Sequence, residues 1–147
     1  LIHLATHGLL DGFGERTPGA IALSPDSPPS PKNANEGLLR TSEIVENLKL
    51  QADLVILSAC DTGGGEISGD GVLGLSRAIL TAGAKSLIVS LWQVDDDTTS
   101  YLMVEFYQEL EKNPDKARAL RQAMLKTKEK YPGAANWAAF TIIGNPE

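Results

Sequence analysis

Two side chains in this sequence have the chemistry of a nucleophile and its base. Cys60 is the chain's single cysteine, and it stands where the apolar run "LVILSA" gives way to "DTGGG". His7 closes the run "LIHLAT" and is followed by Gly8. A thiol with a pKa of about 8.5 is only a few per cent thiolate at neutral pH, so it needs a base to attack a carbonyl. An imidazole is such a base, and once protonated it stabilises the thiolate. Gly63, Gly64 and Gly65 remove side-chain bulk beside the thiol, which lets another backbone approach. His3 lies inside an apolar run, where the simpler role is that of a satisfied core histidine. Ser58 is two residues before Cys60 and falls on the same side of an extended chain. It reads as a hydrogen-bonding wall residue.

These residues must be held by strands that end at one edge. "LIHLAT" is a strand reaching back to Leu1 or beyond, and "GAIALS" is another. "ADLVILSA" and "AKSLIVSLW" are unbroken apolar runs without alternation, as in parallel strands covered on both faces. Between them, Val72, Leu75, Ile79 and Ala82 fall at helical spacing, with Asp70 as the expected cap and Gly83 as the stop. That section is one βαβ unit. "TSEIVENLKL" is a short helix with a Thr-Ser cap signal. "DDDTTSYLMVEFYQEL" places Leu102, Met103, Phe106, Tyr107 and Leu110 on one stripe, and "DKARALRQAMLKTKEKY" is a second helix ended by Pro132-Gly133. "WAAFTIIG" is a last strand. The expected fold is an α/β, mostly parallel sheet with helices on both faces, formed by a single domain over residues 1–147. In such sheets, sites gather beyond the carboxyl ends of the strands. His7, Cys60 and Asp95 all follow strands on this reading. Residues 25–37 hold four prolines and are expected to be a mobile surface loop.

Composition narrows the function. The net charge is −6, with 13 Lys+Arg against 19 Asp+Glu, which argues against nucleic acid or an anionic membrane as direct partner. No apolar run reaches the roughly 18 residues of a membrane span. One cysteine makes no internal disulfide, so a reduced, cytoplasmic setting is expected. The two histidines and scattered acids show no metal-ligand spacing, and neither metal nor cofactor is expected. The chain opens on Leu1, so a preceding segment is expected to be missing. Trp92 ends an apolar strand and could line a cleft or the core. Arg77 falls on the polar side of its helix.

One rival pattern is explicit. "GDGVLG", residues 69–74, spells G-x-G-x-x-G, and Asp95 follows 21 residues later. A dinucleotide-binding turn should begin at the strand's end, however, and here residues 60–68 intervene. Asp70 would also set a negative charge where a pyrophosphate lies.

"HLATHG", "LVILSACDTG", "GDGVLGLSRAILTAGAKSLIVSLWQVDD" and the closing "WAAFTIIGNP" together resemble the CHAT domain, a caspase-like domain found in bacteria beside tetratricopeptide repeats. The resemblance covers nearly the whole chain and is weakest across the proline loop. It implies a three-layer caspase-hemoglobinase fold whose N-terminal strands are missing here. It implies a cysteine endopeptidase with His7 as general base and acid and Cys60 as nucleophile. The spacing agrees, since caspases carry their histidine about 50 residues before the cysteine. The backbone N–H groups of Gly8 and Cys60 would form the oxyanion hole. A protein substrate and regulation by an N-terminal tetratricopeptide region follow from the same resemblance. Asp61 and Asp95 are expected near the site with Ser58 and Trp92 as substrate-binding residues, so a basic or neutral residue is expected before the cut. A caspase-like docking module without turnover is the alternative from a different class.

Overall fold

The structure is a computed structural model that describes residues 1–9, 19–25, 37–58 and 69–146. Cys60, Asp61 and most of the 25–37 loop lie outside the described residues. The main sheet has four strands, β1 (Ile2–Leu4), β5 (Val55–Leu57), β6 (Ser86–Ser90) and β7 (Phe140–Gly144), in the order β1-β5-β6-β7. The first three run parallel and β7 runs antiparallel to β6. A smaller antiparallel sheet joins β2 (Gly8–Leu9), β3 (Ala20–Ala22) and β4 (Leu38–Arg40).

β5 and β6 are buried along their whole length, which is why their letters show no alternation. Val55 and Leu57 face one layer, formed by α1 (Thr41–Asn47) and α2 (Gly69–Thr81), through Ile44, Leu75, Ala78 and Ile79. Leu54, Ile56 and Ile88 face the other. There α3 (Asp96–Lys112) and α4 (Lys116–Lys130) pack through Leu102, Met103, Phe106, Leu120 and Ala123. Lys126 of α4 ties both Glu105 and Glu109 of α3, at 2.6 and 2.9 Å. The result is an α/β/α sandwich, as the apolar runs predict.

Three local expectations need correction. α1 is capped by Arg40, whose N–H donates to Glu43 at 2.8 Å, while the Thr41 hydroxyl donates to the Gly19 carbonyl at 2.8 Å instead of capping. The helix starts at Thr41, so Thr41 is its first residue and not its cap, and its hydroxyl donates to a tertiary carbonyl. Asp70 is not the cap of α2, because the helix already includes Gly69. β1 starts at Ile2, with Leu1 outside the strand. The short helix α5 (Ala134–Trp137) before β7 had no separate signal in "WAAFTIIG".

Gly83 does stop α2. It has φ +112°, and a Cβ there would run into the Leu50 carbonyl. Leu50 N–H in turn donates to the Ala82 carbonyl, so neither backbone is free to yield. Gly83→Ala is expected to cost about 2–3 kcal/mol, read from the denaturant midpoint, because both the backbone conformation and the clash oppose a side chain.

Candidate active site

β1 and β5 lie side by side, with His3 opposite Ile56 and Leu4 opposite Leu57. Their carboxyl ends therefore leave the sheet together. One leads to His7, and the other leads to Ser58 and, two residues on, Cys60. A groove of about 670 Å³ opens at this edge. Its floor includes His3, His7 and Ser58, and α3 supplies a wall through Asp96, Met103 and Tyr107.

His7 is exposed, but its backbone is held. Ala22 N–H of β3 donates to the His7 carbonyl at 2.8 Å, and the Thr6 hydroxyl donates to the Ala22 carbonyl. Gly8, the expected oxyanion donor, is buried at the start of β2. The small sheet thus fixes the turn that presents the imidazole.

His3 is not simply a core residue. Its Nε2 lies 3.0 Å from the Ser58 Oγ, and its Nδ1 lies 2.8 Å from the Tyr107 hydroxyl. The rings of His3 and Tyr107 are tilted at 46°, with centroids 5.9 Å apart. Burial pushes the His3 imidazole below its ordinary value and the Tyr107 phenol above its own. Both stay neutral at neutral pH. Ser58 lines the groove and is hydrogen-bonded to His3.

The remaining expected binding residues are placed as follows. Asp95 caps α3, its carboxylate accepting from the N–H groups of Asp97 and Thr98 at 3.0 and 3.2 Å. It is the next residue, Asp96, that lines the groove. Trp92 donates its indole N–H to the Ala135 carbonyl at 2.9 Å and packs against the α3–α4 side of the core. Tyr107 was legible only as part of the α3 stripe. The signal that could have marked it is the spacing of Thr99, Met103 and Tyr107, which sets all three on one helix face toward the groove. Residues 69–74 lie within α2, so "GDGVLG" forms helix and not a phosphate-cradling turn. That removes the dinucleotide reading. Among the described residues, no three His, Cys, Asp or Glu side chains cluster as metal ligands.

A family model described as the CHAT domain matches residues 1–145. The chain belongs to the CHAT domain family. Its layered α/β architecture is the caspase-like one that this membership carries. Among curated proteins, this CHAT domain is similar to tetratricopeptide repeat protein 28 of Mus musculus, 33% identical over 110 residues, which is 74% of the chain and 4% of that protein. Tetratricopeptide repeat protein 28 of Homo sapiens is 34% identical over 110 residues, again 74% of the chain and 4% of that protein. The CHAT domain described by this chain is therefore a small part of the length of these relatives.

Proposed function

We propose that this CHAT domain is a cysteine endopeptidase in which His7 is general base and acid and Cys60 is the nucleophile. The observation that supports the reading is the parallel pairing of β1 with β5, whose carboxyl ends meet at the groove lined by His7 and Ser58, with Cys60 two residues beyond Ser58 in the sequence. The thiolate attacks a peptide carbonyl, and backbone N–H groups of Gly8 and Cys60 take the developing negative charge. His7 returns the proton to the leaving amine, and water then hydrolyses the thioester. Neither a cofactor nor a metal enters this sequence of steps.

Asp96 on the groove wall, next to the capping Asp95, supports a basic or neutral residue before the cut. The tetratricopeptide relatives support regulation by a repeat region of the same protein, and the single cysteine fits a reducing setting. A thiol-directed activity probe on the full-length protein tests the proposal. Labelling is expected on the unsubstituted protein and none on Cys60→Ala. A folded protein that takes no label would favour a docking module without turnover.

A further inference from the structure

Three groups from three separate elements form a chain under the groove. Tyr107 comes from α3, His3 from β1, and Ser58 from the end of β5. All three also line the groove. An imidazole between two hydroxyls admits two proton arrangements. In one, Ser58 donates to Nε2 and Nδ1–H donates to Tyr107. In the other, Tyr107 donates to Nδ1 and Nε2–H donates to Ser58. A phenol is a far stronger acid than an alkyl hydroxyl, so it is the better donor to the basic nitrogen. The second arrangement therefore wins. It leaves the Ser58 oxygen accepting from His3, with its own hydrogen unused among the described residues.

We infer that Tyr107 holds His3 as the Nε2–H tautomer, and that His3 so positions the Ser58 hydroxyl to donate a hydrogen bond to a peptide carbonyl in the groove. His3 and Tyr107 are thus positioning residues acting through Ser58. The same tautomer has a second effect. Nε2 carries a proton and cannot take one, so Ser58 is not activated as a nucleophile even though it is hydrogen-bonded to a histidine. The chain stays uncharged near neutral pH, because burial disfavours both the imidazolium and the phenolate. The peptide ligand in this inference rests on the peptidase reading, whereas the tautomer and the orientation of Ser58 do not.

The test has a spectroscopic and a kinetic arm, both on the full-length protein. Nitrogen-15 solid-state NMR with labelled histidine reads the tautomer, and the His3 signals are assigned by their loss in His3→Gln. The expected result is Nε2–H in the unsubstituted protein and a shift toward Nδ1–H in Tyr107→Phe, which removes the hydroxyl and keeps the ring, leaving Ser58 as the hydroxyl donor to the imidazole. In the kinetic arm, Ser58→Ala and Tyr107→Phe are each expected to raise KM for a peptide substrate by roughly 2–10-fold, the worth of one ordinary hydrogen bond. The double variant is expected to match Ser58→Ala alone, because the two changes remove the same bond. Additive losses would mean that Tyr107 merely packs, and would overturn the inference. So would Nδ1–H as the resting tautomer, or labelling of Ser58 by a fluorophosphonate. A protein that shows the expected tautomer shift but no peptide turnover would sink the peptidase reading and leave the orientation of Ser58 standing.

Discussion

His7→Ala is expected to lower kcat for peptide hydrolysis by about 10²–10⁴-fold, the usual contribution of a positioned general base. KM should move little, because in the proposed mechanism the imidazole takes and returns its proton in the transition state and adds little to ground-state binding. The melting temperature should also hold. The His7 ring is exposed, and the contact that fixes this position runs through its backbone carbonyl to Ala22, which alanine keeps. Progress curves and thermal unfolding of the full-length variant measure both. Turnover within threefold of the unsubstituted protein would show that another group deprotonates Cys60. His3 is a poor substitute, since both its ring nitrogens are engaged by Ser58 and Tyr107.

Phe106→Ala is expected to destabilise the fold by about 3–5 kcal/mol, the range for truncating a fully buried aromatic ring. Phe106 has no exposed surface and packs with Ile56, Ile88, Leu102 and Ala123 between the sheet and the α3–α4 layer. Its ring also meets that of Tyr107 edge-on, with centroids 5.5 Å apart. A cavity in an aliphatic core stays empty of water. The melting temperature should fall by roughly 10 °C for a domain of this size. Phe106→Leu, which keeps most of the volume, should lose markedly less. A drop of under about 1 kcal/mol for the alanine variant would mean that α3 is fastened to the sheet by other contacts.

The elements most readable from the letters were those whose environment is uniform. Val55–Leu57 and Ser86–Ser90 are covered on both faces, so an unbroken apolar run identifies them. The long stripe of α3 was equally plain, and the structure adds that the Asp95 carboxylate caps its start. The start of α1 was not, since Thr41 found its acceptor on Gly19, a distant partner that a local capping rule does not consider. The direction of β7 escaped for a different reason: an apolar run looks the same whichever way it is threaded against its neighbour.

The site divides in the same way. His7, Gly8 and Ser58 were singled out in the letters because each lies where an apolar run ends. His3 lies within a run and was assigned to the core. Its partners are 55 and 104 residues away, and no local pattern links a tyrosine on a helix to a histidine on a strand. Asp95 and Asp96 show the limit at finer grain. The acidic cluster was legible as belonging near the groove, but which carboxylate caps and which faces the groove depends on one step of helical rotation.

The pairing of Ile2 with Val55 joins segments some fifty residues apart. Parallel strands so distant must close a large loop before any contact rewards the closure, which makes such pairings slow to form. On the ribosome, the first strand exists well before its neighbour has been synthesised. Through that interval the groove that His3, His7 and Ser58 line has not formed, and the thiol has not been made. Whatever this groove binds or does is therefore withheld until the sheet is complete, so the slow assembly of the parallel pair sets when the site comes into being.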